Sequence, residues 1–382
     1  MKATKIIFSF SLLLVLAPLS IFSQTYLALV KYKGDWIYVD NTGKEVIKPD
    51  VERAKSFSDG LAEVKQNGLW GYIDKTGAFK IKPRFAATQE FHNGRARVRE
   101  VSGGDKKEKG KKEKGGDEKE KGETDDDGDW KYIDKNGVAL FGRTFDGALD
   151  FSEGIAAVKD NGLWGYIDTT GKWIVKPQFT SVKNFTDGLT SAKNDADGLI
   201  IIDKTGKRIS NKSFLYVGIF SEGVALCRDE NGEWGVINDK GEYTIKPAKE
   251  NAKRFVLGPM GFSRTKCVDG LIRFGEDRKL GYMDKNGKVI IEQKFSLAHP
   301  FSEGLAGAKE DGRWGFIDKT GAWAIKPTFK NAESFKNGYA MVRMDPDDVD
   351  KKTPFGWGFI DKTGKWVVKG IYNDVFDFEK VD

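Results

Sequence analysis

Eight aspartates recur at one register along this chain: Asp40, Asp74, Asp134, Asp168, Asp203, Asp284, Asp318 and Asp361, with Asn238 in a ninth place. Carboxylates at a fixed interval are what a metal ladder or an acid–base array would require. Each of them, however, stands three residues ahead of a glycine: Gly43, Gly77, Gly137, Gly171, Gly206, Gly241, Gly287, Gly321 or Gly364. Asp at the first place and Gly at the fourth is the composition of a tight turn. The carboxylate bonds to the turn's own amides, and Gly takes the left-handed backbone that ends it. The turn accounts for both residues and accepts Asn238 equally well, so these aspartates are expected to be structural.

The remaining reactive side chains are sparse. His92 and His299 are the two histidines, at different repeat positions and outside any nucleophile motif. No P-loop, dinucleotide fingerprint, nucleophile elbow or metal-spaced Cys/His cluster is present. The expectation is therefore a non-enzymatic chain with no catalytic residues, no metal and no cofactor. Cys227 falls where Val64, Val98 and Val158 sit in other repeats, which fits a small buried side chain. Cys267 lies just past the corresponding strand of the next repeat, and whether the two cysteines pair is left open.

Aromatic side chains offer binding chemistry instead. Seven tryptophans hold one repeat position (Trp36, Trp70, Trp130, Trp164, Trp234, Trp314, Trp357), where Leu199 and Leu280 are the substitutes. Leu has no π-face, so this position reads as core and not as a stacking platform. Trp173, Trp323 and Trp366 sit nine places later, matched by Tyr243 and Phe79 but also by Glu45 and Arg208. A place that accepts Trp, Glu and Arg is expected to be at least half exposed. Trp173, Trp323, Trp366, Tyr243 and Phe79 are therefore the candidate ligand-binding residues, an aromatic ladder for a glycan or a peptide. The competing reading is edge aromatics that cover the neighbouring repeat.

The elements that must position these residues are nine tandem units. In Leu61–Lys65, Ala62 and Val64 share one face while Glu63 and Lys65 take the other, a period of two that argues for a strand. Asn67-Gly68 then signals a hairpin, Leu69–Asp74 a second strand, and Phe79–Lys82 a third that runs into Pro83. A Phe follows each Trp position by 21 residues (Phe57, Phe91, Phe151, Phe185, Phe220, Phe255, Phe301, Phe335, Phe378). A Gly comes three residues after that Phe in the first eight units, Gly258 among them. Length varies only between the Phe and the next Trp position, which assigns all insertions to the first hairpin. The expected fold is all-β, tandem three-stranded β-meanders stacked in an open curved superhelix, with a closed β-propeller-like ring as the alternative. The open form is favoured because first and last units each have three strands, leaving none to exchange, and nine exceeds the usual count of about four to eight blades.

At WGYIDKTG (Trp70–Gly77), WGFIDKTG (Trp314–Gly321 and Trp357–Gly364) and FSEGLA (Phe301–Ala306) the chain resembles the bacterial WG-repeat family, also called KWG repeats. The likeness covers nearly all of residues 26–382. It implies a tandem β-repeat in bacterial, often exported, proteins and brings no established catalytic residues.

Lys2 and Lys5 precede an apolar run, Ile6–Phe22, that has the form of a secretory signal peptide over residues 1–23. Export to the periplasm, cell surface or extracellular space is expected, with no membrane span in the mature chain. The array then occupies 24–382, with a charged insertion at 103–129. Asp105–Asp129 holds 8 lysines and 11 acids in 25 residues and is expected to be disordered. A net charge of +6 is nearly neutral over 382 residues and gives no case for nucleic acid. The composition and repeats point to an exported scaffold for a protein or peptide partner, or alternatively to a cell-envelope glycan-binding module. The oligomeric state cannot be read from such a pattern.

Overall fold

The computed structural model describes residues 26–101, 128–251, 255, 266–276, 279–344 and 356–381. The signal-like segment and the charged insertion apart from Gly128 and Asp129 lie outside them. Within them the chain is β throughout nearly its whole length, in nine antiparallel meanders. Unit four is representative. Ile155–Asp160 pairs with Leu163–Asp168 across an Asn161-Gly162 turn, with φ of 50° and 81°, and Leu163–Asp168 pairs with Trp173–Phe179. Each aspartate turn is built as expected. Asp168 Oδ1 accepts from Thr170 N at 2.8 Å, Thr170 Oγ1 at 2.7 Å and Lys172 N at 3.0 Å, and Gly171 has φ of 83°. The Thr170 hydroxyl bond, followed by the two backbone bonds, holds the Asp168 carboxyl below its ordinary pKa.

Each meander acquires a fourth, leading strand from the residues that follow the previous unit's third strand. Gly147–Ala148 leads unit four, Ser181–Val182 unit five, Leu297–Ala298 unit eight and Asn331–Ala332 unit nine. Unit one draws its leading strand from the far end of the chain: Asp374–Lys380 pairs antiparallel with Tyr26–Tyr32, with Ala28 opposite Phe378. That pairing closes the array. Of the two expected arrangements the propeller-like ring is the one formed, and the open superhelix is corrected. The physical reason is that each meander leaves one edge for a leading strand. The residues after the ninth unit are the leading strand that the first unit lacks.

The core follows the same order. Nine apolar clusters each join one unit to the next, and the cluster of Phe359, Val368, Tyr372 and Phe378 with Ala28, Val30, Ile37 and Val39 joins unit nine to unit one. Every sheet is therefore covered on both faces. Strand alternation sends Ala62 and Val64 toward unit one and Leu61 toward unit three. Glu63, on the face opposite Ala62 and Val64, is only 2% exposed, in the seam with unit three. A ring leaves no free sheet face, so the polar side of an alternating strand is buried as well.

Two residues that recur with the Trp hold the seams together. The aromatic two places after the Trp position packs on the repeat Phe of the next unit, as in Tyr38–Phe57 and Tyr72–Phe91, with ring centroids 4.8 Å apart. Its hydroxyl donates to a backbone carbonyl of the next leading segment: Tyr38 to Lys55, Tyr72 to Gln89, Tyr132 to Leu149, Tyr166 to Lys183 and Tyr282 to His299. The Phe-Ser-Glu-Gly turn provides a second tie. Ser152 Oγ donates to Phe185 O at 2.7 Å, and Glu153 accepts from Gly188 N at 3.0 Å and pairs with Lys204 at 2.9 Å. The ion pair is exposed and contributes little by itself; the two backbone-directed bonds fix the angle between units.

Unit seven departs from the expected count. Its turn is made by Asp269 and Gly270, with φ of 57° and 82°, and Cys267 precedes Leu280 by 13 residues as Phe57 precedes Trp70. Cys267 thus occupies the repeat Phe place, where counting from Trp234 assigns Phe255 and Gly258. The extra residues enter before this turn and not in the first hairpin. A spacing measured from the preceding Trp cannot reveal an insertion that happens to leave a Phe in step. Phe255 is still buried, beside Cys267 in the seam between units six and seven. Both cysteines are free and belong to different seams.

Candidate functional site

The expected ladder residues lie on the third meander strands of units two, four, six, eight and nine. Trp173, Trp323, Trp366 and Tyr243 are half-buried, and Phe79 is 38% exposed. Each of the first four packs into a different seam. Trp323 meets Phe295 edge-on at 5.7 Å and Trp366 meets Phe329 at 6.2 Å, while the Arg143 guanidinium lies 4.8 Å from the Trp173 ring. The rings are thus spread around the ring protein, one per seam. At the repeat position, Trp130, Trp164, Trp234 and Trp314 are buried, whereas Trp36, Trp70 and Trp357 are half-buried.

Convergence occurs at the ring axis instead. One cavity of about 410 Å³ is lined by Ile219 of unit six, Lys266 and Arg273 of unit seven, Pro300 of unit eight, Ser334 of unit nine and Asp377 of unit one. Only the axis of a ring brings five consecutive units to one space. A second cavity of about 430 Å³ is lined by residues of units four, five and six, and shares Ile219 with the first. Six of the lining residues stand one place before the repeat Phe, or before Cys267 in unit seven: Asn184, Ile219, Lys266, Pro300, Ser334 and Asp377. The framework around that place is near-constant, and the place itself carries an amide, an alkyl, an amine, an imino acid, a hydroxyl and a carboxylate.

The charged side chains buried in the seams, several of them outside the lining of either cavity, are mostly satisfied. Arg97 bonds Asp150 at 2.7 Å, and Arg273 Nη1 donates to Ala298 O at 2.5 Å. His299 is buried, stacked on Trp314 at 4.6 Å, with Nε2 2.9 Å from Ala332 O. Lys336 pairs with Glu379 and lies 3.8 Å from Asp377. Burial, ahead of the attraction of Lys336, raises both of those carboxyl pKa values. Glu63 accepts from Thr88 Oγ1 at 2.5 Å and lies 3.4 Å from Lys55, and burial raises its pKa. Among the described residues no group of three or more His, Cys, Asp or Glu side chains could hold a metal ion, and no helix is long and apolar enough to cross a membrane. Burial pushes the thiols of Cys227 and Cys267 up to about 12, which favours the protonated form.

Sequence reasoning missed this axial set because it looked for recurring types. The signal was the opposite, one place of unlike residues set beside an unvarying Phe.

The WG-containing repeat model matches residues 36–70, 70–100, 130–164, 164–196, 281–314, 314–345 and 357–380, more than half of the chain. The chain belongs to the WG-repeat family. No curated protein matches it by sequence. Among solved structures it is similar to the crystal structure of the eukaryotic initiation factor, with a TM-score of 0.57 and 11% identity over 93% of this chain and 98% of that one. At that identity the likeness concerns the fold alone. Looser likenesses are to AztD from Citrobacter koseri (TM-score 0.43, 11% identity, 93% and 98% covered) and BamB from Moraxella catarrhalis (0.39, 12%, 77% and 88%). Neither is close enough to bear on this WG-repeat chain.

Proposed function

We propose that this WG-repeat protein is an exported, non-catalytic ring scaffold that binds a protein or peptide segment at its axis. The observation that carries the reading is the axial set itself. A repeated framework delivers a different side chain from each of six units to one pair of cavities. A surface that varies on an invariant frame suits recognition of an irregular partner such as a peptide better than it suits catalysis. Export rests on Lys2, Lys5 and the apolar run at Ile6–Phe22. The glycan reading rests on the ladder, whose rings are divided among separate seams.

Capture of exported protein and of envelope polysaccharide by the purified chain tests the two. Ile219→Arg fills the mouth shared by the cavities, and Trp173→Ala, Trp323→Ala and Trp366→Ala remove the ladder. Loss of a specific protein partner in Ile219→Arg alone supports the axial scaffold. Retention of polysaccharide that disappears with the three tryptophans, and no effect of Ile219→Arg, replaces it with the glycan module.

A further inference from the structure

The two axial cavities differ in charge. The one spanning units six to one contains both signs, and its Lys336 is already paired with Glu379 and close to Asp377. The cavity of units four to six is lined by Leu149, Ser152, Val182, Lys183, Asn184, Thr186, Thr190, Ser191 and the backbone and side chains of 218–220, among which Lys183 is the single charged residue. The ammonium of Lys183 donates to Val217 O at 2.5 Å and stands 4.7 Å from the Tyr216 ring, and it forms no ion pair among the described residues. Beside it the register Ser181–Lys193 and Val182–Ala192, continued by one residue, faces Lys183 with Ser191. Ser191 is 3% exposed, and its hydroxyl has no hydrogen-bond partner.

An ammonium without a counter-ion and a buried hydroxyl without a partner each cost free energy that a ligand can recover. We propose that this cavity is a carboxylate-binding site, with Lys183 and Ser191 receiving the carboxylate and Leu149 and Ile219 receiving an adjacent apolar side chain. The inference rests on the peptide-scaffold reading above and names the group by which the partner is anchored. Burial lowers the Lys183 amine's pKa, and an incoming carboxylate reverses that cost by supplying the missing negative charge. The carboxylate is either the C-terminus of a peptide or the side chain of an Asp or Glu within one.

Titration calorimetry of the purified protein with three probes decides it: acetyl-Gly-Ala-Leu with a free C-terminus, the same peptide as its amide, and acetyl-Gly-Glu-Leu-amide. Binding of the first or the third with none of the second supports the proposal and tells the two carboxylate sources apart. Lys183→Met and Ser191→Ala should each weaken that binding by roughly tenfold or more, the usual effect of a lost hydrogen bond to a charged group. Ser191→Ala removes a hydroxyl with no partner, so its melting temperature should be unchanged and the test does not depend on folding. Equal binding of the amide, binding of no probe, or binding that ignores both substitutions overturns the site. If a protein partner is still captured in Lys183→Met while no probe binds, the axial scaffold stands and the carboxylate site alone falls.

Discussion

Units two, four, six, seven, eight and nine carry a Gly after the Trp position; units one, three and five carry Ile37, Lys131 and Ile200 there. The first group has a third meander strand of six or more residues: Phe79–Thr88, Trp173–Phe179, Tyr243–Ala248, Val289–Phe295, Trp323–Phe329 and Trp366–Tyr372. In unit one that strand is only Glu45–Ile47, and units three and five have isolated bridges such as Ile133–Ala139 and Ile202–Arg208 in its place. The Gly explains the difference. The third strand bulges across it, because Trp164 pairs with Phe179 and Tyr166 with Val175, leaving extra residues on one side. A Cβ on Gly165 would come within 2.6 Å of Val175 O, and one on Gly71 would lie as close to Ile81 O. The second letter of the WG signature therefore makes room for a bulged outer strand. A side chain there shortens that strand or replaces it with a loop.

That comparison can be broken at several points. Trp164→Ala removes a buried indole from the seam between units four and five and should lower stability by about 3–5 kcal/mol in denaturant melts. Leu199→Ala, at the same place in unit five but half-buried, should cost clearly less. Gly165→Ala inserts the forbidden Cβ and should cost about 1–3 kcal/mol. Hydrogen exchange should show protection lost along Trp173–Phe179 while the first two strands of unit four keep theirs. An unaltered third strand would show that the Gly does not decide its presence.

Smaller effects test the buried polar seams. Burial holds the Glu63 carboxyl above its usual value of 4.5, so the native state keeps this proton to higher pH than the unfolded chain does. Its contribution to stability is fullest below pH 4.5 and falls as pH rises from there through the raised native value. Glu63→Gln should flatten that part of the melting temperature–pH curve and be more stable than the parent at neutral pH. An unchanged slope would place the titration elsewhere. Smallest of all, Asp168→Asn should leave the melting temperature almost unaltered, since Asn238 already makes the same turn with its amide oxygen accepting from Lys240 N at 3.0 Å.

Much of a single unit was legible in the sequence. The Asp and Gly of the turn, the Asn-Gly hairpin tip and the alternation of Ala62 and Val64 each follow from local backbone demands, and local demands leave local signatures. Ring closure was not legible, because the leading strand is only two residues long in units four, five, eight and nine and so leaves no pattern to which Asp374–Lys380 could be matched. The burial of Glu63, Arg97 and Arg273 was hidden for a related reason. Alternation marks which side chains share a face, but only the ring determines that both faces are covered. The axial residues escaped because each is unlike its counterparts. Cys267 was misplaced because a Phe in step with the count masked an insertion ahead of the turn.

The central claim is that the two ends of the array meet in one sheet. Tyr26 stands opposite Lys380 in that pairing, so a Tyr26→Cys, Lys380→Cys double variant under mild oxidation tests it most directly. Cys227 and Cys267, buried and with thiols pushed up to about 12, do not compete. The closed ring predicts a monomer cross-linked within itself, seen as a faster-running band on a non-reducing gel. Failure to form that link, or formation only between molecules, would contradict closure.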